Sequence, residues 1–228
     1  MGEVVWSMRF SEVFSYSHML ISGLIVSIWV CIVSAGIGFA LALVCAEARS
    51  SSRLMIRAPV VWYVETIRNT PFIVQLFFIY FGIAALGLRL NPSAAAIAAL
   101  SLNIGAYFTE IVRGGLENSR RGISEAARAQ GMTPLQVYWR ILLPPALAKV
   151  DRLLVGQFVL VFLGSAVISQ IAVEDLTYAG QFIQTRTFRA FESYLVITVM
   201  YAAAGIAFAT VYALIRPFLF PWERDVRR

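Results

Sequence analysis

The sequence predicts an all-α membrane protein with five transmembrane helices. Three observations carry that expectation. Charged residues make up only 14% of the chain and hydrophobic residues 59%, whereas a soluble domain carries about 25% charged residues. Five apolar segments, at residues 19–45, 59–86, 92–112, 153–172 and 194–215, can each cross a hydrocarbon core that takes about 20 helical residues. Finally, fourteen of the 19 Lys and Arg residues lie in loops on one side of these segments, four (Arg9, Arg89, Arg186 and Arg189) lie on the other, and Arg68 falls inside the second segment. The basic side faces the cytoplasm by the positive-inside rule, so the N-terminus is expected outside and the C-terminus inside. That sorting also accounts for the net charge of +6 without a nucleic-acid partner. Backbone groups cannot stay unpaired in lipid, so the spans are expected as helices. Residues 1–228 read as a single transmembrane domain.

The first segment is too long for a signal-peptide core and has only Arg9 before it, so it reads as a retained span. It holds Cys31 and Cys45, and no CxxC or Cys/His cluster supports a metal site or a disulfide framework. His18, at its outer end, reads as an interface residue. The second segment would run about 42 Å as a straight helix, more than the bilayer core needs. Pro71 supplies a break or kink, because it removes a backbone donor and clashes with the preceding turn. Glu65, Arg68, Asn69 and Thr70 sit just before it. Ionisable groups at membrane depth mark sites, and transporters often bind solute at discontinuous helices. Glu65 and Arg68, three residues apart, equally suit a plain ion pair at the cytoplasmic interface.

In the third segment Asn103, Tyr107 and Glu110 form one polar stripe, open to ligand contact or to a helix–helix hydrogen bond. In the fourth, Gln157, Ser165 and Ser169 follow eight- and four-residue spacing, readable as a pathway face or as packing contacts. Residues 173–193 hold Glu174, Asp175, Arg186, Arg189 and Glu192, too polar to span, and are expected as an external loop with short helical pieces.

Between the third and fourth segments lies a polar island, a cytoplasmic loop over 118–146 that contains EAARAQGMTPLQVYWRILLP at 125–144. Ser124 is expected to cap a first short helix, with Glu125 in its first turn. Gly131 is expected to end it in a left-handed conformation. Thr133 and Gln136 have the spacing of a capping box, with Pro134 at the first helical position. Leu135, Tyr138, Trp139 and Leu142 are spaced as one apolar face, and Pro144 and Pro145 are expected to stop the helix. Exposed arginines beside an apolar stripe suit a docking surface for a soluble partner; a plain connecting loop is the simpler reading. No GxxxxGK[ST] phosphate loop occurs in the chain.

Glu125, Ala126, Ala127, Gly131, Ile141, Leu143 and Pro144 match EAA-x3-G-x9-I-x-L-P without a gap. This resembles the signature loop of the permease subunits of bacterial ABC importers. Glu65, Arg68, Thr70, Pro71 and Gln75 resemble the E-x-x-R-x-T-P-x-x-x-Q stretch of the polar amino acid branch. The run 102–115 resembles that branch's L-N-x-x-A-Y-x-x-E-x-x-R-G-G. The likeness spans about residues 23–216.

It implies the type I importer permease fold, with 125–144 as a coupling helix against a separate ATPase. It also implies a second permease subunit, identical or homologous, two ATPase subunits carrying ATP and Mg, an external substrate-binding protein, and a place in the bacterial inner membrane. No cofactor or catalysis is implied for this chain. Glu65, Arg68, Thr70, Gln75, Asn103, Tyr107, Gln157 and Ser165 are then candidates for the substrate pathway. One departure stands out: many relatives carry K-D-T-S-L in the fourth span, where this chain has Leu163-Gly164-Ser165-Ala166-Val167. A subunit without those charges implies the non-binding half of a heterodimer or a different ligand. A scaffold or channel subunit without driven transport shares the spans and the charge sorting; the EAA grammar argues against it.

Overall fold

Residue size, more than residue hydrophobicity, decides how the helices pack. The computed structural model describes residues 8–117 and 122–221. In chain order the helices are α1 (Phe10–Phe14), α2 (Ser17–Arg49), α3 (Leu54–Arg68), α4 (Phe72–Ala85), α5 (Pro92–Glu117), α6 (Ile123–Ala129), α7 (Pro134–Gln136), α8 (Leu143–Gly164), α9 (Leu176–Thr187) and α10 (Ala190–Leu219). A π-helical turn, Val137–Leu142, joins α7 to α8, and a 3-10 turn, Ser165–Ile171, follows α8. Four helical runs, Ser17–Arg49, Pro92–Glu117, Pro134–Ile171 and Ala190–Leu219, are long and apolar enough to cross a membrane; α3 and α4 form a fifth unit, bent by 110°.

The buried side of α2 is a stripe of small residues, Gly23, Ser27, Cys31, Ser34, Gly38, Ala42, Cys45 and Ala46. It faces an equally small-featured side of α5, with Ala95, Ala96, Ala99 and Gly105 buried. Without a hydrophobic drive between helices in lipid, close van der Waals contact of this kind holds spans together. A Cβ on Gly38 would lie 2.9 Å from the Ser101 carbonyl oxygen and 3.0 Å from the Gly105 nitrogen. One on Gly105 would lie 2.8 Å from the Tyr63 hydroxyl oxygen, so α3 closes on the same point. Tyr63 donates from there to the Leu102 carbonyl at 2.6 Å.

Residues 173–193 hold the expected helical structure, but in one 12-residue helix rather than short pieces within a loop. They fold mainly as α9, which buries Leu176, Ala179, Gly180 and Ile183. Asp175 caps it, accepting from the Tyr178 amide at 2.8 Å and from the Tyr201 hydroxyl at 3.2 Å. Ser27 accepts from the Leu176 amide at 3.1 Å and donates to the Gly23 carbonyl at 3.0 Å, which pins α9 to α2. The polar residues that argued for a loop serve as caps and buried partners. Residues around α1 are tied to the same region: the Arg9 amide donates to Glu192 at 3.2 Å, and Glu12 pairs with Arg189 at 3.5 Å.

The break at Pro71 is a corner. The end of α3 leaves carbonyls without helical partners, and Gln75 serves them. Its amide nitrogen donates to the Ile67 carbonyl at 2.7 Å, the Thr70 carbonyl at 3.0 Å and the Thr70 hydroxyl at 2.8 Å. Its oxygen accepts from Asn103 of α5 at 3.1 Å. One buried glutamine thus ties both arms of the bent unit to α5.

Two expectations for the 125–144 stretch need correction. Ser124 makes no cap: α6 starts one residue earlier, after Gly122 at φ +80°. Pro144 and Pro145 do not end the helix, because Pro134–Ile171 is one continuous run. The prolines sit at the first turn of α8, directly after the π turn. Each lacks the N–H that an α register would require, and the widened turn is where a helix absorbs such a mismatch. The Thr133–Gln136 capping box is present as read, and Gly131 adopts φ +83°. Arg120 and Arg121, which precede the stretch, lie outside the described residues.

Gly38→Val is expected to destabilise the protein by about 1–3 kcal/mol through overpacking against backbone. Gly36→Ala, two residues away with nothing within 4 Å, is expected to be neutral or stabilising by up to about 1 kcal/mol. Thermal unfolding of the two purified variants decides it: equal midpoints would refute the close-contact account. Gln75→Leu strands the Ile67 and Thr70 carbonyls and the Asn103 amide, and is expected to lower the unfolding midpoint by roughly 5 °C. An unchanged midpoint would show that the corner holds without it.

Candidate functional site

A cavity of about 430 Å³ opens at the corner between α3 and α4. Its polar lining includes Thr70, Asn103, Tyr107 and Gln157, with Phe72, Val161 and Gly164 among its apolar walls. Its size falls in the range of small-molecule pockets. Asn103 lies near the middle of α5, so the cavity sits at mid-height of that span. The helices themselves supply the polar groups: the corner brings Thr70, one turn spacing on α5 brings Asn103 and Tyr107, and α8 brings Gln157 from the facing side.

The structure divides the eight pathway candidates. Thr70, Asn103, Tyr107 and Gln157 line the cavity. Gln75 is buried behind it as the corner staple, and Asn103 donates to it, so the helix–helix hydrogen bond and a place on the cavity wall coexist in one residue. Ser165 is fully buried and donates to the Phe162 carbonyl at 2.7 Å. Ser169 likewise donates to the Ala166 carbonyl at 2.9 Å, and the 3-10 turn changes the pitch between it and Ser165, so the four-residue spacing no longer means one α-helical face.

Glu65 and Arg68 do not pair with each other. Glu65 turns toward the end of α2 and takes Arg49 at 2.9 Å. Arg68 turns toward α5, where it lies 3.8 Å from Glu110 and 5.6 Å from the centre of the Tyr107 ring. Tyr107 therefore has one face on the cavity and a guanidinium over its ring. The i,i+3 spacing brings Glu65 and Arg68 to adjacent sides of α3, and the stronger partners on α2 and α5 win.

Glu110 is the centre of a network that residue spacing alone did not reveal. It accepts from Arg49 at 2.9 Å and Arg113 at 3.1 Å, with Arg68 beside it. Arg113 also pairs with Glu117. Three arginines from three helices, and the carboxylates they pair with, thus meet one turn beyond Tyr107. Only the links of Arg113 to Glu110 and Glu117, at three- and four-residue spacing, are local enough to read from sequence; Arg49 comes from 61 positions away and needs the α2–α5 contact.

In the 125–144 stretch the apolar face splits. Val137, Tyr138 and Leu142 are buried, and Tyr138 donates to the Leu43 carbonyl at 2.5 Å. Leu135 and Trp139 are 68% and 44% exposed. The π turn is wider than an α turn, so positions 135, 138, 139 and 142 no longer share one side. Of the seven motif residues, Ala127 and Leu143 are buried anchors, Ile141 and Pro144 are half-buried, and Glu125, Ala126 and Gly131 face outward.

Comparison with known proteins gives a consistent answer. The chain is 31% identical over 185 residues to the glutamine transport system permease protein GlnP of Escherichia coli K12, a match covering 80% of this chain and 84% of that protein. It is 31% identical to the octopine transport system permease protein OccM of Rhizobium meliloti, covering 92% and 89%. Among solved structures, an amino acid ABC transporter with histidines superposes with a TM-score of 0.82 at 32% identity, covering 92% of this chain and 98% of that one. The MetNI methionine ABC transporter shares the fold, with a TM-score of 0.75 at 21% identity over 90% of this chain and 98% of that one. Residues 37–221 match the family model described as the binding-protein-dependent transport system inner membrane component. An all-helical chain with a bent second unit, a mid-span polar cavity and these relatives belongs to that family of ABC importer permease subunits.

Proposed function

We propose that this permease passes a polar amino acid or related small zwitterion through the cavity at the α3–α4 corner. The observation that carries the reading is the convergence of Thr70, Asn103, Tyr107 and Gln157 on a space of amino-acid size at mid-height of α5. Relatives named for glutamine, octopine and L-cystine transport support the solute class. Thr70 and Gln157 offer donors and acceptors suited to an ammonium and a carboxylate, and Arg68 adds positive potential through the Tyr107 ring. Gly164, where many relatives carry an acidic residue, lies on the cavity wall with nothing within 4 Å of a Cβ position. That fits a chain whose charged contacts come from a homologous partner permease.

In this reading the basic side of the bundle faces the cytoplasm of a bacterial cell, the N-terminus lies outside, and two permeases assemble with two ATPases and an external binding protein. ATP and Mg act in the ATPases. Glu125, Ala126, Gly131, Leu135 and Trp139 form the outward face on which an ATPase docks, and Ala127, Leu143 and the half-buried Ile141 and Pro144 hold that face on the bundle. Nucleotide moves the assembly between inward- and outward-facing states only through different affinity for the two.

Gln157→Leu in the reconstituted complex is expected to raise the KM of amino-acid uptake about tenfold, with the unfolding midpoint unchanged. Uptake kinetics against a panel of amino acids check this; an unchanged KM for every transported solute would move the pathway elsewhere. Leu135→Asp changes an exposed residue and leaves the fold intact. It is expected to reduce co-purification of the ATPase several-fold, and a stoichiometric ATPase would remove the docking role of this face.

A further inference from the structure

Helices α8 and α10 touch through aromatic rings at mid-length. Phe162 lies edge-on to Tyr201 and Phe208, with centroids 5.5 and 5.1 Å away, and Phe158 meets Phe208 at 5.0 Å. Beyond that contact, toward the end carrying Arg152 and Arg216, the two helices leave an open trough of about 610 Å³. Gly156, Val159, Ala209 and Ala213 line its length. A Cβ on Gly156 would have no neighbour within 4 Å. From Arg152 to Leu160 the trough runs about 12 Å along the helix.

The end of the trough is cationic. Buried Asp151 accepts from Arg216 and, at 2.7 Å, from the Tyr212 hydroxyl, which holds the Arg216 side chain at the rim. Arg152 stands beside it, exposed; its backbone amide donates to Asp151 at 2.7 Å, and its side chain pairs with no carboxylate among the described residues. Arg152 thus brings to the rim a positive charge with no carboxylate partner among the described residues, above an apolar channel. Water suits the rim and not the channel. A helix of another subunit suits the channel, but covering Arg152 without a carboxylate would strand a desolvated charge. An amphiphile that brings its own anion satisfies both ends, and basic pockets between spans at the cytoplasmic side hold acidic headgroups for this reason.

We propose that the α8–α10 trough binds one anionic phospholipid, with its phosphate at Arg152 and Arg216 and an acyl chain along Gly156, Val159, Ala209 and Ala213. The trough adjoins the cavity at the corner across Leu160, which lines both, but its rim and channel residues are not those that carry the proposed solute contacts. Its assignment to the inner leaflet rests on the orientation proposed above.

Native mass spectrometry of the detergent-purified permease–ATPase complex, titrated with phosphatidylglycerol or phosphatidylcholine, tests the trough whichever leaflet it faces. Phosphatidylglycerol is expected to add at one site per permease, more tightly than phosphatidylcholine. Arg152→Gln is expected to weaken the phosphatidylglycerol adduct about fivefold, and Arg152→Lys to retain it. Gly156→Leu fills the channel and is expected to abolish the adduct while ATPase co-purification persists. Equal binding of both lipids, or a phosphatidylglycerol adduct indifferent to Arg152→Gln, would overturn the proposal. So would displacement of the adduct by inorganic phosphate, which would mark a free-anion site. Efficient cross-linking of Gly156→Cys to a second permease would also overturn it, by making the trough a subunit interface. If Gly156→Leu fails to assemble, the two Arg152 variants decide the matter alone.

Discussion

The close approach of α2 and α5 at Gly38 and Gly105 is the constraint on which the rest of the bundle depends. It sets two long helices backbone to backbone, leaving no room for a Cβ on either glycine. α5 then presents Asn103 and Tyr107 to the corner and Glu110 to the arginines, while the end of α2 delivers Arg49 to the same carboxylate. Tyr63 of α3 packs against the glycine contact, so the bent unit is oriented from the same point. Moving these backbones apart by the width of a methyl group would disturb the packing, the cavity wall and the ionic network together.

The corner and the network make different physical demands. Gln75 works because it is buried and saturated: its amide and carbonyl have partners on α3 and α5. In a low-dielectric interior such a group is costly to leave unpaired, which favours one geometry over many. The Glu110 network is partly exposed, with Arg68 at 38% and Glu65 at 50% side-chain exposure. Exposed ion pairs are individually weak and exchangeable. A rigid joint therefore sits directly beside a network whose central pair, Arg49 and Glu110, is largely buried at 15% side-chain exposure each, and only its outer members Arg68 and Glu65 are exposed enough to change partners at small cost.

The span count, the break at Pro71, the left-handed Gly131 and the Thr133 capping box were legible in sequence because each depends on residues within a few positions. Apolar run length, a missing donor, a positive φ and an S/T-x-x-Q spacing are local signals. What was not legible depended on distant partners or on a change of helical pitch. The stretch that holds α9 read as a loop with only short helical pieces because Asp175 looks solvent-seeking until Tyr201, 26 positions away, is placed against it. Gln75 entered as a pathway candidate through the likeness of its stretch, and its link to Asn103, 28 positions away, is what the sequence does not announce. The split of the Leu135–Leu142 face followed from a π turn, which the 3.6-residue pattern does not anticipate.

That same turn joins the 125–144 stretch to the cavity in one rod. Because the prolines at 144 and 145 do not interrupt it, Pro134–Ile171 carries both Trp139, at the outward face, and Gln157, on the cavity wall. The rod bears against α5 where Ala146 lies under Gly115, so close that a Cβ on Gly115 would come within 2.8 Å of the Ala146 carbonyl oxygen. With about 10 Å of helix on the Trp139 side and about 16 Å on the Gln157 side, that contact has the placement of a fulcrum. A tilt imposed at Trp139 would swing Gln157 in the opposite direction and over a somewhat larger distance, as the long arm of a lever does.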